Sequence, residues 1–206
     1  MKKTAALFII SLMVLFACTK NDDSTIILLG TESYVEQITD VIPDSLRNVF
    51  EQQFGAIPRG YVPPKIEGSF VVAPKQRCFS NVTNWPLSVT EPNMYLTFSN
   101  QHNSVAEILL AEANETFTDT VYVIGHDNLF TVYYQETKII DLVENLAEMK
   151  RGILIKGKMT EQGIQDFYFA NIIMDVKGDP YGVLAKKGQF FIYKDGDGLA
   201  RKEEKR

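Results

Sequence analysis

The pattern of apolar and polar residues changes twice along the chain. Residues 5–16 form an apolar run that contains no charge and a single polar residue, Ser11. Between residues 31 and 54 apolar side chains recur at spacings of three and four, and this period predicts two short amphipathic helices or one kinked helix. Pro43 interrupts the pattern because it lacks a backbone donor and clashes with the preceding helical turn. From about residue 65 the apolar period falls to two, which predicts β-strands.

Eight segments after this point have strand character. They are residues 66–72, 94–99, 105–113, 117–124, 129–140, 152–160, 164–176 and 189–194. Most of the links between them are short and rich in Gly, Asn, Asp and Ser, which favours antiparallel hairpins over parallel crossovers. Residues 141–150 are ambiguous, because their apolar side chains have helical spacing and a longer hairpin loop fits equally well.

The segment 164–176 is apolar on both of its faces. One face carries Tyr168, Ala170, Ile172 and Met174, and the other carries Phe167, Phe169 and Ile173. We expect one face to point into a closed sheet and the other to be covered by the N-terminal helices. A meander of eight strands leaves exposed edges unless the sheet closes. The predicted fold is therefore mainly β, an antiparallel meander that closes into a barrel, with a β-sandwich as the alternative.

A closed meander with helices against its outer face resembles the lipocalin-like barrels of exported bacterial proteins. The resemblance is architectural, covers about residues 65–195 and includes no diagnostic motif. Within a single domain of residues 31–198, it implies a barrel that binds a small apolar or amphipathic ligand. The aromatic residues Trp85, Tyr133 and Tyr168 are the candidate ligand contacts. An ordinary packed interior accounts for these aromatics equally well.

The N-terminus has the organisation of an export signal. Lys2 and Lys3 precede the apolar run, which is too short for the ~20 residues of a stable membrane span. The junction Leu15-Phe16-Ala17-Cys18 resembles the lipobox of bacterial lipoproteins. The resemblance implies that residues 1–17 are a signal peptide cleaved after Ala17. It also implies that the Cys18 thiol receives fatty acyl chains such as palmitate, and two or more chains anchor a protein firmly.

The residues that follow Cys18 are polar and acidic, and we assign residues 18–30 to a lipidated flexible tether. Lys20, Asp22 and Asp23 resemble the export signals that send some Gram-negative lipoproteins to the outer face of the outer membrane. An ordinary disordered spacer is the alternative. The predicted location is the cell envelope, with a lipid anchor in the outer membrane and the domain on its periplasmic or cell-surface side.

The net negative charge of the chain argues against one class of partner. The full chain carries 21 basic and 26 acidic residues, and removal of residues 1–17 changes the net charge from −5 to −7 because two lysines are lost. An acidic chain without a basic patch argues against nucleic acid as a partner. Residues 199–206 end in a run of mixed charge and are predicted to form a solvated tail.

Residues that commonly carry chemistry are few. With Cys18 acylated, Cys78 has no partner within the chain, and burial is favoured because free Cys is among the most buried residue types. His102 and His126 lie in predicted turns, where a solvated role is favoured over ligation. Residues 195–198 favour a tight turn over a calcium loop, because Leu199 at the fifth position has no ligating oxygen.

No motif for a hydrolase nucleophile, a zinc protease, a phosphate-binding loop or a paired-cysteine metal site occurs in the sequence. The sequence therefore predicts a non-enzymatic, membrane-anchored envelope lipoprotein, without cofactor or metal, that binds a small apolar or amphipathic ligand. The alternative is a module that docks an envelope protein or a glycan without an internal cavity. A hydrolase that uses acidic residues is a more distant alternative.

Overall fold

A computed structural model describes residues 41–83, 85–142 and 145–203. Several predictions fall outside the described residues: the signal peptide with its cleavage site after Ala17, the acylation of Cys18, the tether with Lys20, Asp22 and Asp23, and the predicted helical segment 31–40. Within the described ranges, no helix is long and apolar enough to cross a membrane.

The described chain contains one complete helix and eleven strands. The helix is α1 (Asp44–Phe54). The strands are β1 (Gly68–Val72), β2 (Lys75–Ser80), β3 (Thr90–Glu91), β4 (Met94–His102), β5 (Val105–Glu112), β6 (Glu115–His126), β7 (Leu129–Asp141), β8 (Leu146–Met159), β9 (Gly163–Lys177), β10 (Phe190–Asp195) and β11 (Leu199–Glu203). Each of the eight strands predicted from the sequence is present, so the mainly β class is confirmed.

The strands form an antiparallel sheet in which eight members close a hydrogen-bonded ring. The ring runs β11-β1-β4-β5-β6-β7-β8-β9 and is closed by pairing of β9 with β11. Strand β9 forks, because its first residues pair with β11 while residues 168–172 pair with β10. From β10 the sheet continues outside the ring through β2 to β3.

The two faces of the sheet bury two separate apolar clusters. The inner cluster, on the inner side of the ring, includes Phe167 and Phe169 of β9, and the outer cluster includes Ala170 and Ile172, with Tyr168 and Met174 packed against it. Helix α1 belongs to the outer cluster through Leu46 and Phe50, which are fully buried. The prediction that one face of this strand points inward and the other lies under an N-terminal helix is confirmed.

Helix α1 is fixed at both ends by features that the sequence contains. It begins directly after Pro43, as predicted, and ends before Gly55, whose φ of 79° favours glycine. The Lys156 ammonium on β8 donates hydrogen bonds to the carbonyl oxygens of Phe54 (2.8 Å) and Gly55 (2.9 Å). These are carbonyls that the helix end leaves without intrahelical donors, so the lysine ties the helix to the sheet.

Three strands have no counterpart in the prediction, and two segments differ from it. Strand β11 occupies the first part of the predicted tail 199–206, and residues 204–206 lie outside the described residues. The ambiguous segment 141–150 is neither a helix nor a long loop, because β7 extends to Asp141 and β8 begins at Leu146. Strand β3 consists of two residues only, too few for an alternating pattern.

Strand β2 was missed because a β-bulge breaks its alternation. Phe79 pairs with Ile192 while Arg77 pairs with Tyr193, so Cys78 is an extra residue on the bulged strand. Phe79 therefore packs against the outer cluster, whereas Arg77, two residues away, is buried beside Tyr193. An apolar-polar pattern of period two cannot reveal such a strand.

Candidate functional site: a charged cleft at one end of the ring

The interior of the ring is filled by side chains. Phe70, Phe98, Phe130 and Phe167 belong to the inner cluster and are each at most 1% exposed. Aromatic side chains of this size leave the described interior packed in the manner of small closed sheets. A ligand site must therefore be sought where the packing ends.

The inner cluster ends at a cleft of about 840 Å³, which we call the end cleft. It lies between the β5–β6 turn, the second half of β7 and the neighbouring parts of β8, β9, β10, β2 and β3. A larger surface hollow of about 970 Å³ lies along β1, β4 and β11, but it holds none of the buried charged residues. The end cleft is the stronger candidate because buried charge is costly and is kept chiefly where it has a role.

The end cleft exists because β6 and β7 separate. These strands contain 12 and 13 residues, yet they pair at five positions only, from Tyr122–Tyr133 to His126–Leu129. By contrast, β7 pairs with β8 at all of its 13 positions. The first half of β6, before Tyr122, and the second half of β7, after Tyr133, are not paired and enclose the cleft. The Lys138–Glu115 ion pair joins these two halves at the rim of the cleft.

Four ion pairs surround the cleft. They are Lys75–Glu112, Arg77–Glu91, Lys138–Glu115 and Arg151–Glu136. Lys75 is 3% exposed, and Arg77 and Glu136 are each 8% exposed. Charges buried to this degree are tolerated because each has a partner of opposite sign in contact.

Two of the cations also lie over aromatic rings. The Lys75 ammonium is 4.6 Å from the centre of the Tyr193 ring, and the Arg77 guanidinium is 5.0 Å from the centre of the Trp85 ring. Burial raises the pKa of Tyr193 by more than the nearby guanidinium of Arg77 lowers it. The phenol is therefore neutral at physiological pH. The Lys75–Tyr193 contact lies in the wall of the cleft, and the Arg77–Trp85 contact lies behind Glu91 of that wall.

One buried polar side chain in the cleft has no partner among the described residues. Asn171 of β9 is 6% exposed and lines the cleft. Its side-chain amide makes no hydrogen bond to any residue that the structure describes. Its amide atoms are not cut off from the cleft, so a polar group of a ligand that enters the cleft can pair with them.

A second unpartnered group, the Tyr134 hydroxyl, lies on β7, two strands away from Asn171. Tyr134 is 3% exposed, and its oxygen has no hydrogen-bond partner among the described residues. Burial raises the pKa of this phenol, with the Glu136 carboxylate adding to the rise. Tyr134 on β7 and Asn171 on β9 are both paired with Ile153 of β8, which lies between them. The three residues therefore form one row across the inner face.

The candidate ligand contacts taken from the sequence do not form one site. Tyr133 is fully buried in the outer cluster, and Tyr168 packs against the same cluster, where its ring is 4.9 Å from that of Phe54. Trp85 is 43% exposed, with its ring 5.3 Å from that of Phe191. Trp85 contacts Arg77, whose ion pair with Glu91 borders the end cleft. The two tyrosines instead pack in the outer cluster, which also contains α1.

The remaining candidate residues have ordinary surroundings. The Cys78 thiol donates to the carbonyl oxygen of Ile192 (3.4 Å), and burial raises its pKa to about 11. His102 and His126 are exposed, but they are the last residues of β4 and β6, directly before the turns, and do not lie within the turns as predicted. Among the described residues, no group of three His, Cys, Asp or Glu side chains is placed to hold a metal ion.

The predicted turn at residues 195–198 connects β10 to β11. One carboxylate oxygen of Asp195 accepts hydrogen bonds from the backbone N–H groups of Asp197 (3.0 Å) and Leu199 (3.3 Å). The other accepts from the N–H of Ala73 (2.9 Å). Both oxygens therefore face donors, which is the geometry of a side-chain-stabilised turn.

Sequence reasoning missed every charged residue of the end cleft. A signal was present in strands that were predicted: along β7 the inward positions Phe130, Val132 and Tyr134 are followed by Glu136. Along β9, Phe167 and Phe169 are followed by Asn171. Polar residues at positions where the alternation requires an inward side chain mark the end of the apolar interior.

Comparisons with protein-family models, with curated proteins and with solved structures found no match to this chain.

Proposed function

We propose that this chain is a lipid-anchored envelope protein that binds a small amphipathic ligand in the end cleft. The proposal includes closure of the eight-stranded ring as a lipocalin-like barrel, which the ring order and the helix on its outer face support. The lipobox-like residues before Cys18 support the anchor. The proposed location of the protein is the outer membrane, with the domain on its periplasmic or cell-surface side.

The observation that carries the binding proposal is the composition of the end cleft. Phe117 and Phe169 give it apolar surface, while the four ion pairs and Asn171 give it polar surface. Ligand sites are concave, with apolar walls and a few placed polar groups. A ligand with an apolar part and a polar part matches this division, and its polar part would satisfy the buried Asn171 amide.

Retention of a small molecule tests the binding proposal. The intact protein should carry extra mass in native mass spectrometry, and it should bind an environment-sensitive apolar dye that the retained ligand displaces. Asn171→Leu should weaken dye displacement by the ligand, whereas Gln162→Leu in the larger hollow should not. A protein without extra mass that neither binds the dye nor responds to Asn171→Leu would refute the proposal.

The anchor has its own test, with a matched control in the second cysteine. Cys18→Ala should release the protein from the membrane fraction or leave its precursor uncleaved, because the acylated thiol is gone. Cys78→Ala should remain in the membrane fraction. Continued fractionation of Cys18→Ala with the outer membrane would show that the anchor proposal is wrong.

The geometry of the cleft favours binding over catalysis. Hydrolysis by a pair of acidic residues needs one carboxyl group that can donate a proton and a second that stays ionised. Each carboxylate of the end cleft is instead held by a cation. We therefore propose a binding protein without enzymatic activity, and hydrolysis of a glycoside or ester that is lost on changing Glu136 would contradict it.

A second candidate function is docking of an envelope protein. Leu146 lines a hollow of about 680 Å³ beside the start of β8 and is 69% exposed, and Tyr181 and Val183, which are next in sequence to residues that line the hollow, are 68% and 66% exposed. Exposed apolar side chains that lie together commonly mark interaction surfaces. Leu146→Lys should abolish a defined cross-linked product if this surface docks a partner, whereas Val62→Lys, at a separate exposed site, should not.

A further inference from the structure

We infer that the end cleft selects amphiphiles whose head is uncharged and carries hydroxyl or amide groups. This inference rests on the proposed ligand-binding function and names the class of ligand. It follows from the charge balance of the cleft and from the buried, unpartnered amide of Asn171 in its wall.

The charges around the cleft are compensated within the protein. Four cations and four carboxylates surround it, and each belongs to one of the four ion pairs. None of these charges is therefore left for a charged ligand to neutralise. The site differs in this respect from pockets built for anions, which present unpaired Arg or Lys side chains.

A charged head would have to break one of these pairs. An anionic head that took Lys75 or Arg151 would leave Glu112 or Glu136 without its partner, and a cationic head would do the same to a lysine or arginine. For the pairs that contain the buried side chains of Lys75, Arg77 and Glu136, losing one partner would cost a ligand about a hundredfold or more in affinity. An uncharged head avoids this penalty because it leaves all four pairs intact.

Two aromatic rings at the cleft and beside it are each covered by a cation of the protein. The ammonium of Lys75 covers the Tyr193 ring, and the guanidinium of Arg77 covers one face of Trp85. A quaternary ammonium head is usually bound by open aromatic faces. Cations of the protein already lie over these two rings, and the Phe117 ring of the wall is stacked on that of Tyr134 with centroids 5.3 Å apart, so few aromatic faces are open to such a head.

The Asn171 side chain determines which uncharged groups the head of the ligand should carry. Its amide presents two N–H donors and a carbonyl acceptor, and all of them lack partners among the described residues. A hydroxyl or an amide of the ligand both donates and accepts, so it matches the Asn171 side chain as one group. A head without such a group would leave the amide unsatisfied and lose about tenfold in affinity.

The test is a titration with amphiphiles that share one tail and differ in the head. Octylglycerol, octanoate and octyltrimethylammonium are added below their micelle concentrations to the full chain carrying Cys18→Ala, which lacks the acyl anchor. Trp85 reports binding, since it is the only tryptophan of the sequence and lies over Arg77 beside the cleft. Octylglycerol should bind at least about tenfold more tightly than either charged compound.

Two variants separate the amide from the shape of the cleft. Asn171→Leu keeps the volume and should weaken octylglycerol binding by about tenfold while leaving the charged compounds unchanged. Asn171→Asp adds an uncompensated negative charge, so octyltrimethylammonium should then bind more tightly than octylglycerol. Circular dichroism of both variants confirms that they are folded.

The outcomes distinguish the inference from the function on which it rests. Tighter binding of octanoate or octyltrimethylammonium to the wild-type cleft would overturn the inference and leave ligand binding intact. Equal binding of all three compounds, unaffected by Asn171→Leu, would also overturn it. Failure of every compound to bind would overturn the proposed function and the inference together.

Discussion

The Arg151–Glu136 pair offers a direct measure of how the end cleft is stabilised. The Glu136 side chain is 7% exposed and that of Arg151 is 24% exposed, and the two residues are cross-strand neighbours on β7 and β8. Arg151→Met keeps much of the volume but leaves the carboxylate of Glu136 buried without a counter-charge. Breaking a buried pair in this way costs about 3–5 kcal/mol. We take the lower end, about 3 kcal/mol, because the exposure of Arg151 shows that water reaches one side of the pair.

Removing both charges should have a much smaller effect. In the double variant Glu136→Leu/Arg151→Met, no charge remains buried, and apolar side chains of similar volume replace the pair. Such replacements are often neutral, so we expect the free energy of unfolding to lie within about 1 kcal/mol of that of the wild type. The two substitutions should therefore couple by about 2 kcal/mol or more.

Equilibrium unfolding in urea, followed by Trp85 fluorescence and circular dichroism, measures these values. The exposed pair Lys177–Glu148, whose N–O distance is 3.3 Å, provides the matched control. Lys177→Met should change the free energy of unfolding by less than about 0.5 kcal/mol, because exposed pairs contribute little. An effect of Arg151→Met as small as that of the control, or a double variant less stable than both single variants, would refute the reasoning.

Three further predictions concern the helix and the thiol. Phe50→Ala should cost about 3–5 kcal/mol, because Phe50 is fully buried between α1 and the sheet, whereas Ala at the exposed Gln53 should cost less than about 0.5 kcal/mol. Lys156→Met should cost about 1 kcal/mol at pH 7 through loss of the bonds to the helix end. Since burial lowers the pKa of Lys156 from 10.5, the unfolded chain binds more protons in the alkaline window below that value. The advantage of the wild type over Lys156→Met should therefore widen as the pH rises there, and a difference that shrinks would contradict the burial argument. Cys78, with its pKa raised to about 11, should react with iodoacetamide at pH 7.5 much more slowly than in urea; equal rates would show an accessible thiolate.

The sequence was sufficient for the parts of the fold that alternate regularly. The eight predicted strands were found because each buries one side chain in two, and the two faces of β9 were assigned correctly because both are apolar. The start of α1 followed from Pro43, because proline acts on the backbone locally. In these segments the residues that decide the structure are neighbours in the chain.

The parts that were missed depend on contacts between distant residues. The bulge at Cys78 shifts the alternation of β2, and β11 is a charged strand that is held by its neighbours on both sides. The partners in the end cleft are also far apart: Lys75 is 37 residues from Glu112. No local pattern identifies a lysine as buried when its counter-charge comes from another strand.

The closing strand has a consequence for the order of folding. Strand β11 is paired with β1 on one side and β9 on the other, so residues 69–71 and 163–165 become neighbours through residues 199–203. Until Leu199–Glu203 have been synthesised, both flanking edges stay without their partner, and open edges expose a chain to aggregation. Contacts over such long sequence separations also slow folding. The ring therefore closes only when β11 is available to pair with both edges, after the segments that supply most of its core.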